Sequence, residues 1–376
     1  MDIKNYIQNN TDTLYKVLYD LCRIPAPSHF ENARAQYCLN WFRENGIDCA
    51  YIDSAQNVIV PFREENRNDL TVICAHTDTV FPDKEPMPYL DDGEKIYCPG
   101  VGDDTASVAV LMLTIKYFFE NNKKTNGILF VLNSCEEGLG NLKGTRQLFD
   151  DFKGRISKLV TFDAGNFSFV VDRCVGSHRY ELEVTTQGGH SWNNFGNKNA
   201  IAELSKIVND IYSIDLPALP DSKVSFNVGE ISGGTSVNTI AQSAKALCEY
   251  RSDNVTLLTY MKDRFDRIFA KANTDGVKVN VKLIGERPCA KDLDQNKQNE
   301  LKQTAAKVIE EITNTPVKYS SGSTDCNIPH SLGIPAIAVG VYLGKGSHTR
   351  EEYIIKSSLP TGLEIGINVV TKVAEI

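Results

Sequence analysis

Over the first half of the chain, nearly unbroken apolar runs alternate with stretches of helical spacing. "LTVICAH" (70–76), "GILFVLNS" (127–134) and "SKLVTF" (157–162) read as strands buried on both faces, and "TASVAVLMLTIKYFFENN" (105–122) reads as a long helix between the first two. At about residue 178 the rhythm changes. "RYELEVTTQ" alternates, "NAIAELSKIVNDIY" is helical, "KVSFNVGEI" and "AKALCEYRS" alternate, "LTYMKDRFDRIFAKA" is helical and "VKVNVKLIG" alternates again. That order is β-α-β-β-α-β, a unit able to bury its own core. A helix, "QNKQNELKQTAAKVIEEITN", and a buried strand, "IPAIAVGVYLG", then return to the first pattern. The pattern predicts an α/β fold with a mixed, mostly parallel sheet covered by helices, built from residues 1–177 and 288–376. A ferredoxin-like β-α-β-β-α-β domain, 178–287, is inserted into it.

A length of 376 residues agrees with two domains. A formal charge of -8 and the lack of a basic run argue against nucleic acid or an anionic membrane as partner. The N-terminus, "MDIKNYIQNNTDTLYKVLYDLC", is polar where a secretory signal would be apolar, and no run reaches membrane-spanning length. The ten cysteines are scattered with no CxxC pair, which predicts reduced, mostly buried thiols and a cytoplasmic protein.

Candidate chemistry gathers at strand ends. His76 and Asp78 follow the first strand, Glu136 and Glu137 the second, Asp163 the third, and His348 the last, past a glycine-rich turn. In open α/β sheets this edge is where ligands bind, so residues remote in sequence converge there. Asp103, in "CPGVGDDTAS", begins the long helix and can reach the same place. Five carboxylates together repel one another unless cations relieve them. Two histidines among them suit Zn2+, with Co2+ or Mn2+ as alternatives, and more than four ligands suggest two ions.

In order and spacing, "AHTDTV", "GVGDDTASVA", "NSCEEGLGNLKG", "FDAG" and "GSHT" resemble the two-zinc exopeptidase family. That family includes peptidase T, carboxypeptidase G, acetylornithine deacetylase and succinyl-diaminopimelate desuccinylase. The resemblance implies that His76 and Asp163 bind one metal, Glu137 and His348 the other, and that Asp103 bridges both across a cis peptide to its successor. It makes Glu136 the general base and Asp78 the residue that orients His76. In the inserted domain it makes His190 of "GGHSW" the group that polarises the substrate carbonyl, from a lid or from a partner subunit. Asn238 and Arg251 would hold a substrate carboxylate, and the inserted domain would serve for homodimerisation.

"GVGDDTA" also has the GxG of a dinucleotide loop, but it lacks the third glycine, and two aspartates would repel a pyrophosphate. A metal-free binding relative would lack a ligand or the base, and none is missing. Asp163 in place of glutamate looks more like the aminopeptidase and dipeptidase branch of the family. The expected substrate is therefore a short peptide, a tripeptide first, with deacylation of N-acyl amino acids as the alternative.

Overall fold

The computed structural model describes residues 2–65 and 67–376. Eight strands form the large sheet, in the order Tyr51–Ile52, Val58–Phe62, Ile128–Asn133, Leu70–His76, Ile156–Thr161, Ala336–Val339, Phe169–Cys174 and Lys318–Gly322. Its four central strands, from Ile128–Asn133 to Ala336–Val339, run parallel. All seven residues of Leu70–His76 are buried, as the unbroken apolar run predicts. Successive side chains on a strand point to opposite faces, and each face has its own core. Ile73, Ala75, Phe130 and Leu132 join one cluster, together with residues of helices Ile3–Cys22, Asn32–Glu44, Ser107–Glu120, Gln295–Thr313 and Ser358–Val373. Val72, Cys74, Leu129 and Val131 join the other, with Leu148 and Phe149 of helix Lys143–Asp151. Gly362 lets helix Ser358–Val373 press on the Val341 carbonyl, where a Cβ has no room.

A small sheet that the hydrophobic pattern does not reveal pairs Gly344–Lys345, Tyr353–Ile355, Lys95–Tyr97 and Leu90–Asp91 in that order. It ties the segment carrying His348 to the one carrying Asp103, and Tyr353 lies opposite Tyr97. The strand before the "GVGDD" loop therefore belongs to this small sheet and not to the large one, unlike a dinucleotide-binding unit.

The chain divides into two compact units. One holds the residues up to Cys174 together with Lys291–Ile376, and the other is Val175–Ala290. The observed limits lie three residues outside 178–287 at each end, because strands Gly176–Thr186 and Val277–Arg287 pair along their length, with Ser177 opposite Arg287. This second unit has an antiparallel sheet in the order Val224–Gly233, Ser243–Ser252, Gly176–Thr186, Val277–Arg287. Helices Ala200–Tyr212 and Val255–Ala272 pack against its core. Asn199 and Asn254 cap these helices by accepting backbone N–H bonds at 2.9 Å from Ile201 and Thr256. All ten cysteines are free and all but Cys49 are buried. Among the described residues no helix is long and apolar enough to cross a membrane.

His330 gives the fold a pH limit. It is fully buried, its Nε2–H donates to the Ala336 carbonyl at 2.8 Å, and its Nδ1 meets no hydrogen-bond partner among the described residues. Burial pushes its pKa down from 6.5 to about 4. Between these values the unfolded chain binds the extra proton, so stability present above pH 6.5 is lost as the pH falls toward 4, by about 3 kcal/mol in all. We expect wild-type protein to lose about that much more than His330→Gln over this range in urea denaturation. Parallel pH profiles for the two would show that His330 is not the titrating group.

Candidate metal centre

Parallel register explains why the strand-end residues meet. His76 lies opposite Asn133, and Cys74 lies opposite Thr161, so the loops that follow the three strands leave the sheet side by side. Glu136 and Glu137 stand in the loop after Ile128–Asn133, entered through Cys135 in a left-handed conformation (φ 55°). Asp103 sits in a kinked turn, Val101–Ala106, ahead of helix Ser107–Glu120, and the Asp103–Asp104 peptide is cis. His348, at φ 66°, lies between the small-sheet strands Gly344–Lys345 and Tyr353–Ile355.

Asp103 stands between two histidines. Its Oδ1 is 3.0 Å from His76 Nε2, its Oδ2 is 3.0 Å from His348 Nε2, and His348 Nε2 is also 3.1 Å from Glu137 Oε1. Ligand atoms of His76, Asp103 and Asp163 lie within 4.8 Å of one another, and so do those of Asp103, Glu137 and His348. A third such group is His76, Glu136 and Glu137. Two donors bound to one tetrahedral zinc at about 2.0–2.1 Å stand about 3.3 Å apart, and the observed separations are near that spacing.

The electrostatics also fit cations. Burial, together with the negative charges of Asp103, Asp104 and Glu136, drives the Asp163 carboxyl well above the ordinary range. His348 is pushed up to about 10 by its bonds to Asp103 and Glu137. Burial works against a charge on His76, but Asp103, Asp104 and Asp78 outweigh it and hold its pKa well up. The same imidazoles hold Asp103 low against its burial. Without an ion, protons on the histidines offset the carboxylates. A divalent cation supplies the same compensation and releases those protons.

Asp78 meets His76 through both its main chain and its side chain. His76 Nδ1–H donates to the Asp78 main-chain carbonyl at 3.0 Å, while the Asp78 carboxylate is 3.5 Å away. That carboxylate also accepts the N–H groups of Glu136 (2.9 Å) and Glu137 (3.0 Å) and the Ser28 hydroxyl (2.7 Å). Glu31, also buried, accepts the Cys135 N–H at 3.0 Å. Two carboxylates thus hold three successive amides of the glutamate loop.

Other residues outside the sequence expectation brace the centre. Asp104 accepts the His76 N–H at 3.0 Å, and Glu352 accepts N–H bonds from Gly100, Gly102 and Asp103. Asp325, in the "SGSTDCN" loop, is buried between Thr145, whose hydroxyl it accepts, and Asn133 Nδ2 at 2.7 Å. No spacing rule marks these acids, because a carboxylate that accepts backbone N–H bonds leaves no periodic trace in sequence.

His190, Asn238 and Arg251 belong to the unit Val175–Ala290. His190 pairs with Thr239, and Ser191 N–H donates to the Asn238 carbonyl at 2.9 Å, so His190 and Asn238 come from adjoining segments. Trp192 N–H donates to His190 Nδ1 at 3.2 Å, which places the ring proton on Nε2. Arg251 is already engaged by Glu249, at 2.7 Å through Nε and 3.0 Å through Nη2. The cause is strand geometry, since residues two apart share a face.

Residues 72–372 match the model of Peptidase family M20/M25/M40. Succinyl-diaminopimelate desuccinylase of Pelagibacter ubique is 25% identical over 69% of this chain and 70% of its own. Aminopeptidase PepT of Bacillus cereus superposes with a TM-score of 0.73 over 97% of this chain and 99% of its own, at 20% identity. The Bacillus subtilis YXEP protein, described as a dinuclear metal binding peptidase, does so with a TM-score of 0.65 over 98% and 99% of the chains, at 13% identity.

The shared carboxylate makes a prediction about stoichiometry. Asp103→Ala should lose both ions together in elemental analysis of protein dialysed against limiting zinc, whereas His348→Ala should lose one. Retention of two ions by Asp103→Ala would contradict a bridging role.

Proposed function

The chain belongs to Peptidase family M20/M25/M40, and from that premise we propose that it is a two-metal exopeptidase of short peptides, a tripeptide being the favoured substrate. The observation that carries this reading is Asp103, with one carboxylate oxygen toward each of two histidines and Glu136 close to His76 and Glu137. His76 and Asp163 would hold one divalent ion and Glu137 and His348 the other, with Asp103 common to both. When bound, such ions lower the pKa of a shared water and polarise the scissile carbonyl.

The protein's own residues supply the rest. The Glu136 carboxylate takes a proton from the attacking water and delivers it to the leaving amine nitrogen. Asp78 fixes the Glu136 and Glu137 amides, so that these neighbours keep separate roles, one as base and one as ligand. His190 donates Nε2–H to the substrate carbonyl oxygen as negative charge develops there. Asn238 and Arg251 anchor a substrate carboxylate, and the unit Val175–Ala290 serves as lid and homodimer contact.

Deacylation of an N-acyl amino acid is the second reading, favoured by the match to a desuccinylase. The same base and ions would serve it, so substrate trials decide. Di- and tripeptides and N-succinyl and N-acetyl amino acids should be assayed with and without chelator. Faster hydrolysis of the acylated compounds would overturn the peptidase assignment, and turnover unaffected by complete metal removal would overturn both readings.

Glu136→Gln should keep both metals while kcat falls by roughly 10² to 10⁴. Near-normal turnover would remove Glu136 as the base. His190→Ala should lower kcat by roughly 10² to 10³ at unchanged metal content. Mixing it with Glu136→Gln shows which subunit His190 serves: recovered activity in mixed dimers means that it acts across the interface, and no recovery after proven subunit exchange means that it acts within its own chain.

A further inference from the structure

Glu352 follows His348 by four residues, is 1% exposed and lies immediately before the small-sheet strand Tyr353–Ile355. Its Oε2 accepts the Gly100 N–H at 2.6 Å, and its Oε1 accepts the N–H groups of Gly102 and Asp103, both at 2.9 Å. The Glu352 carbonyl also accepts the Cys98 N–H at 3.3 Å. One side chain therefore takes up three amides of the turn that presents Asp103. A Cβ at Gly102 would come within 2.8 Å of Glu352 Oε1, so the close approach requires glycine there.

We propose that Glu352 is a positioning residue that sets the span between Asp103 and His348, and through it the binding of the metal held by His348 and Glu137. His76 ends a fully buried central strand, and Asp163 follows another, so their places are fixed by the large sheet. His348 has a half-exposed side chain in a turn, and the small-sheet pairing and Glu352 connect that turn to Asp103. Loss of the Glu352 contact should leave His76 and Asp163 in place while letting Asp103 and His348 drift apart. The ion between them is weakened first. The proposal rests on the two-metal reading of the site.

Glutamine at 352 has the size of glutamate but presents an NH2 group either to the Gly100 N–H or to those of Gly102 and Asp103, so at least one bond is lost in either orientation. In zinc and cobalt titrations of Glu352→Gln we expect the tighter ion to bind as in wild type and the weaker one to bind 10- to 100-fold more weakly. At limiting metal kcat should fall, and excess metal should restore it with KM unchanged, a split that general destabilisation would not produce. Hydrogen exchange on metal-free wild-type protein is the second measurement. The Gly100, Gly102 and Asp103 amides should be protected without any ion, because their acceptor is Glu352. If Glu352→Gln does not fold, this measurement decides: protection supports the proposal and rapid exchange overturns it. Wild-type protein that takes up no metal overturns the two-metal reading and this proposal with it. Two ions bound equally tightly by wild type and Glu352→Gln overturn this proposal alone.

Discussion

Like charge crowded at one sheet edge is the constraint on which the rest of the site depends. Asp163, Glu136 and Glu137 follow strand ends of the large sheet by a few residues, the turn Val101–Ala106 adds Asp103 and Asp104, and Asp78 is fully buried. Such a group persists only if each acid has its own compensation. The interior ones receive it from backbone amides and hydroxyls, as Asp78 and Glu352 show. Asp163 is raised by burial and by its neighbours, and a proton or a cation would relieve it. Binding strength at the centre and the order of its loops thus share one origin.

The architecture was legible because burial on both faces leaves unbroken apolar runs. Leu70–His76 and Ile128–Asn133 could be read directly, and the change to alternation announced the antiparallel sheet of Val175–Ala290. The candidate ligands that follow large-sheet strands were legible for a related reason: parallel strands carry residues at corresponding ends to one place. The small sheet left no such trace. Its strands are two or three residues long, too short for a period to register, yet it connects the two segments that bear Asp103 and His348.

Asp78 shows the limit of reading roles from spacing. Two positions beyond a histidine, an acid suggests a side-chain pair, and the short turn does bring the residues together. The main chain of Asp78 makes the shorter contact to His76, and the carboxylate, 3.5 Å from the same ring nitrogen, also takes up the amides of a loop nearly sixty residues away. Glu31 and Glu352 act in the same way over 104 and about 250 residues. Contacts that pair a side chain with a distant backbone group depend on fold alone, so one sequence cannot display them.

The metal chemistry and the choice of substrate are written in different parts of the chain. Peptide and N-acyl amino acid hydrolysis would use the same ions and the same base, so at the large-sheet edge only the resemblance carried by Asp163 separates them. Arg251, proposed above as a carboxylate anchor, carries a constraint of its own. Glu249 holds it in a two-point contact, which by itself would oppose an incoming carboxylate. Arg179 also bonds Glu249, at 3.2 Å, so two guanidinium groups share one carboxylate and neither is held by it alone.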